Sequence, residues 1–163
     1  MRVYLPATIG MLRKLVSEGK LQPPGGTGFA LTPALRESYV SGDTEELEYA
    51  AMLDAARASL RLLGDEEKEL PRRVVISVDV GNATIRPDLD AAVVKLSGPI
   101  VLDEVAAVHV DTEEAEKAVR AAAAVIDAAD LGDLDAEFTL GEAEDHDLAW
   151  YAPQELPFLL ELL

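Results

Sequence analysis

The sequence predicts an α+β fold: a mixed or mainly antiparallel sheet with helices packed on one face, in a ferredoxin-like or related sandwich. Three observations carry the prediction. The stretch Arg73 to Val80 alternates, with Val74, Ile76, Val78 and Val80 on one face and Val75, Ser77 and Asp79 on the other, the period of a half-buried strand. A sheet covered on both faces would give continuous apolar strands instead. The element order, β-α-β…β followed by β-α-β-α-β-β-α, alternates strands with helices in the manner of layered α+β folds.

Arg2 to Leu5 reads as a first strand. Thr8 caps a helix from Ile9 to Glu18 that Gly19 ends. Gln22 to Gly28 is a glycine- and proline-rich loop; it lacks the Lys-Ser/Thr pair of a phosphate loop and the G-x-G-x-x-G of a dinucleotide site, and its glycines permit a tight path. Phe29 to Thr32 gives a short second strand, and Thr32-Pro33 opens a helix reaching Val40. Asp43 with Glu46 caps the longest helix, Thr44 to Leu63, whose Leu47, Ala50, Leu53, Leu60 and Leu63 recur at helical spacing. The glutamates of its first turn suit the positive end of the helix dipole.

A charged, exposed linker spans residues 64–72 within what reads as one domain, residues 1–163. Ala91 to Leu96 is a strand placed to pair antiparallel with 73–80. Leu102 to Ala106 makes one or two helical turns before a strand at Ala107 to Asp111, and an alanine-rich helix runs from Thr112 to Ala129. Ala136 to Leu140 and Leu148 to Ala152 read as two strands joined by the acidic loop Gly141 to Asp147, before a terminal helix opened by Pro153.

The net charge of −17 is unevenly distributed. Residues 1–72 hold nine Lys/Arg against eleven Asp/Glu, and residues 73–97 hold three of each. From Gly98 onward only Lys117 and Arg120 oppose seventeen acids, giving −15. Such a lobe repels a phosphate backbone, so no direct nucleic-acid binding is expected. No apolar run approaches the roughly 20 residues of a membrane span. The opening Met1 to Pro6 enters a strand without a signal-peptide core, which leads to the expectation of a cytoplasmic location. There is no cysteine, which excludes disulfides and thiol catalysis.

Few residues suggest chemistry. His109 and Asp111 share a strand face about 7 Å apart, an imidazole beside a carboxylate that would suit a general base. No G-x-S-x-G, H-E-x-x-H or S-x-x-K accompanies them. Glu144, Asp145, His146 and Asp147 offer hard oxygen ligands and one imidazole for Mg, Mn or Ca, without the spacing of an EF-hand, and a solvated hairpin turn accounts for them as well. No motif calls for a cofactor. Trp150 and Tyr151 must point to opposite faces of a strand. In the terminal run, Phe158, Leu159 and Leu162 surround a single polar Glu161, so this helix docks on its own core or on a protein partner or second copy.

The segments M-R-V-Y-L-P-A-T, T-P-A-L-R-E, E-E-L-E-Y-A-A, A-A-R-A-S-L-R-L-L, A-A-V-H-V-D and E-D-H with W-Y-A-P-Q-E-L-P resemble a family of short, acidic, uncharacterised proteins from high-GC actinobacteria. The resemblance spans nearly the whole chain. It implies a cytoplasmic bacterial protein and carries no activity, ligand or catalytic residue across.

The sequence thus points to a non-catalytic intracellular binding or regulatory protein that acts through protein contact. One alternative is a small-ligand-binding protein or enzyme with its site near His109 and Asp111. Another is an acidic mimic of nucleic acid. The polar face Val75, Ser77 and Asp79 is where a groove or partner surface is expected.

Overall fold

A computed structural model describes all of residues 1–163. β1 (Arg2–Ala7) leads through Thr8 into α1 (Ile9–Glu18). The Thr8 hydroxyl accepts from the Met11 N–H, and Gly19 closes the helix at φ 75°, a conformation that disfavours a side chain. β2 (Lys20–Leu21), β3 (Thr27–Phe29), α2 (Pro33–Glu37) and α3 (Thr44–Asp65) follow. Asp43 caps α3 as predicted, accepting from the Glu46 N–H. Next come β4 (Val74–Asp79), β5 (Ala83–Ile85), β6 (Val93–Leu96), β7 (Ile100–Val101) and β8 (Val105–Val110). The chain ends with α4 (Glu116–Asp130), α5 (Leu134–Glu144), β9 (Ala149–Tyr151) and α6 (Leu156–Glu161).

The fold class read from the sequence holds. Seven strands form one sheet in the order β5-β6-β3-β1-β4-β8-β9, with β2 and β7 as a separate pair. Every pairing is antiparallel. This is the mainly antiparallel sheet that the sequence predicts.

Helices cover both faces of the sheet rather than one. On the first, Val3, Leu5, Val74, Ile76, Val78, Val108 and Val110 pack against Leu12 and Leu15 of α1 and Leu156, Leu159 and Leu160 of α6. On the second, Tyr4, Phe29, Val75 and Val93 meet Ala51, Met52, Ala55 and Ala56 of α3. Small residues let α3 approach closely. The buried Ser59 hydroxyl donates to the Ala7 carbonyl at 2.7 Å and accepts from the Val74 N–H at 3.1 Å, stitching helix to sheet. The far end of α3, Leu60 and Leu63, packs on Val119, Ala122 and Ile126 of α4 and Leu140 of α5.

Three expectations need correction. Residues 91–96 do not pair with β4; β6 pairs with β3 and β5. Both edges of β4 are already taken, by β1 and β8. Residues 136–140 are not a strand but the middle of α5, capped by the Asp133 side chain accepting from the Ala136 N–H. Ala136, Leu140 and Ala143 recur at helical spacing and are buried in a cluster that includes residues of α3 and α4. The acidic segment 141–147 is therefore the end of that helix and its exit, not a hairpin turn. Finally, the second face of β4 is not open: Val75 and Ser77 are buried and only Asp79 is exposed.

The end of α3 and the charged segment after it are exposed along residues 64–68, and the chain is anchored beyond. Glu69 accepts from the Thr8 hydroxyl at 3.0 Å and the Gly10 N–H at 3.2 Å, and Pro71 is buried. No helix is long and apolar enough to cross a membrane.

Candidate functional site

Between the first turns of α3 and the β1-β4-β8-β9 end of the sheet lies a groove of about 290 Å³. Strand register builds its floor. Tyr4 lies opposite Ser77 and Arg2 opposite Asp79 across β1 and β4; His109 lies opposite Trp150 across β8 and β9. The register of β4 and β8 slips between Ser77 and Val78, where Val78 pairs with Val105 and Ser77 with Ala107. The extra residue in β8 is Ala106. This bulge sends Val105 to the α1 face while Ala107 and His109 line the groove on the α3 face.

Each polar group on the floor has a partner. His109 Nε2 lies 3.1 Å from the Ser77 hydroxyl. Burial, and secondarily the charge of Arg2, push the imidazole pKa below the ordinary 6.5, so His109 is neutral at physiological pH. The Arg2 guanidinium donates to both Asp79 oxygens at 2.7 and 3.1 Å, which holds the Asp79 carboxyl below its usual range. The Tyr4 hydroxyl donates to Glu48 Oε2 at 3.3 Å. Burial first, then the Glu48 charge, push the Tyr4 phenol up to about 12, so it remains a donor. Tyr49 and Trp150, 50% and 60% exposed, stand as the walls. Tyr49 also borders a second cavity of about 440 Å³ that reaches Asp54, Arg73, Glu144 and Asp145.

His109 and Asp111 are not brought together as a catalytic pair. Asp111 is fully buried in an ion pair with Arg73. Its Oδ2 accepts from the Arg73 backbone N–H and Nε at 2.7 and 2.8 Å, and its Oδ1 from a terminal guanidinium nitrogen at 2.8 Å. That same nitrogen donates to the carbonyls of Ala143 and His146 at 3.0 and 2.9 Å, so the pair fastens the end of α5 to the sheet. Glu144, Asp145, His146 and Asp147 lie along that exit, and nowhere in the chain are three or more acidic or histidine side chains placed to hold a metal ion.

The aromatic and C-terminal candidates divide. Trp150 faces the groove and Tyr151 packs on the first-face core. Leu159 is buried with Leu156 and Leu160, so α6 docks on its own core, while Phe158 and Leu162 are 70% and 85% exposed. A second apolar surface lies where α4 turns into α5: Leu131, Leu134 and Phe138 are 89%, 83% and 72% exposed.

Sequence reasoning did not find Arg2, Tyr4, Glu48 or Tyr49. The alternation of Arg2 and Tyr4 on one face of β1, and the helical spacing of Glu45, Glu48 and Tyr49, were the available signals. Neither says that the two elements meet.

Fold and groove together define an α+β protein whose antiparallel sheet is covered on both faces and carries an aromatic-walled groove at one end. Over residues 1–160 the chain matches a family of unknown function, DUF6912, and it belongs to that family. No curated protein matches the chain, and neither does any solved structure.

Proposed function

We propose that this is a non-catalytic protein-binding module that presents the α4–α5 turn to a basic, amphipathic segment of another protein. The observation that carries the reading is the exposure of Leu131, Leu134 and Phe138, close in sequence where α4 turns into α5, on the half of the chain that holds the charge of −15. Leu134 and Phe138, four residues apart, share one face of α5. Asp127, Asp133, Asp135 and Glu142 rim the patch in sequence, whereas Asp130 and Glu137 are occupied by Arg57 and Arg61. An apolar centre with a like-charged rim suits a partner of opposite charge. A second copy of the chain is opposed, because pairing this face with itself would bring two acidic rims together.

The reading is tested with a synthetic amphipathic Lys/Leu helix, titrated by fluorescence anisotropy at low and high salt. Binding is expected, weakened by salt, and reduced at least about tenfold by the charge-neutral double substitution Leu134→Ser/Phe138→Ser. Equal binding by that variant would mean non-specific attraction to the acidic surface and would reject the reading.

A further inference from the structure

We propose that the groove between α3 and β9 binds an alkylammonium group, seated between Tyr49 and Trp150 and paired with Glu48. Charge and shape carry the inference. Arg2 is committed to Asp79 through two hydrogen bonds, and His109, held neutral by burial, adds no cation. The groove's remaining charges are the carboxylates of Glu45 and Glu48. The Tyr4 hydroxyl occupies one Glu48 oxygen at 3.3 Å and orients the other. Two aromatic rings lining the same groove as a hydrogen-bonded carboxylate suit an organic cation, through the negative faces of the rings and the ion pair together. An anionic ligand would meet two carboxylates that no salt bridge pairs. The volume of about 290 Å³ lies at the small end of ligand pockets, which suits the head of an amine rather than a nucleotide. The site is distinct from the α4–α5 patch and does not depend on it.

Trp150 is the only tryptophan in the chain; it borders this groove and also a depression formed with Leu102, Val105 and Pro153, so the Glu48 and Tyr49 variants below assign an emission change to the groove. The experiment titrates the intact protein with choline and with n-butylammonium at constant ionic strength. The neutral isostere 3,3-dimethylbutan-1-ol serves as control. A saturable change with the cations and none with the alcohol is expected. Glu48→Gln and Tyr49→Ala should each weaken binding by about tenfold. The glutamine keeps an acceptor for the Tyr4 hydroxyl, so the groove should stay formed. A third arm with Nα-acetyl-lysine N-methylamide separates two sources of the same group: tighter binding than n-butylammonium indicates a protein side chain, equal or weaker binding a free amine. No saturable response in the wild-type protein, or an equal response to the alcohol, overturns the proposal.

Discussion

At the scale of single residues, Arg73 and Asp111 form the most deeply buried ion pair of the fold. Both side chains are nearly inaccessible, at 3% and 0% exposure, and the Arg73 nitrogen that meets Asp111 Oδ1 also holds the carbonyls of Ala143 and His146 at the end of α5. Removing one member leaves a buried charge uncompensated. Asp111→Ala is therefore expected to destabilise the fold by about 3–5 kcal/mol in urea unfolding. A change of under about 1 kcal/mol would show that water reaches Arg73 and that the site is not dry. His109 makes a different prediction. Its folded-state pKa lies below 6.5 because burial disfavours the imidazolium. The unfolded chain then takes up the proton first, so stability is full above pH 6.5, falls as pH drops towards the folded pKa, and levels off below it. His109→Gln should abolish that acid-side loss, and the His109 imidazole resonances of the native protein should titrate below 6.5. A midpoint at or above 6.5 would contradict the burial argument.

At the scale of elements, β3 is held close to β1 by the absence of a side chain. A Cβ on Gly28 would stand 2.5 Å from Val3 Cγ1 and 2.9 Å from Leu5 Cδ2, both in the first-face core. Gly28→Ala should cost about 1–3 kcal/mol through overpacking, read as a fall in the urea midpoint. An unchanged midpoint would mean that β3 shifts freely at its place in the sheet. The same elements show where the sequence was informative. α1 and α3 were legible as helices because each begins at a side-chain cap, Thr8 and Asp43; the inner face of α3 was legible only at Leu47, Leu60 and Leu63, since Leu53 is exposed and the small residues Ala51, Ala55, Ala56 and Ser59 are buried instead. α5 was not, because Ala136-Glu137-Phe138-Thr139-Leu140 satisfies two periods at once. Alternation puts Ala136, Phe138 and Leu140 together; the helix keeps Ala136 and Leu140 inside and turns Phe138 out to 72% exposure. Packing on α4 decided between them, and no local signal records that contact. The groove was hidden for a related reason: its walls and floor come from α3, β9 and residues 2, 4, 77, 107 and 109, which only tertiary structure brings together.

At the scale of the whole molecule, thirty-one acids face fourteen Lys and Arg. Salt acts on this distribution in two opposing ways. It weakens the surface pairs of Arg57 and Arg61 with Asp130 and Glu137, which tie α3 to α4 and α5. It also relieves repulsion among the acids of residues 98–163, where only Lys117 and Arg120 offset the charge. The second effect should dominate: exposed pairs contribute little on their own, while the excess acids repel one another at all separations within a Debye length, about 10 Å at 0.1 M salt and about 3 Å at 1 M. Folding compacts these charges, so screening should favour the folded state more than the expanded one. The urea midpoint is expected to rise as sodium chloride increases from about 0.01 M to 0.5 M. Urea is the right denaturant here because guanidinium would itself screen. A falling midpoint would assign the net electrostatic balance to the Arg57 and Arg61 network. In that case Arg57→Gln should cost most of the stability that salt removes, and its own midpoint should no longer fall with salt.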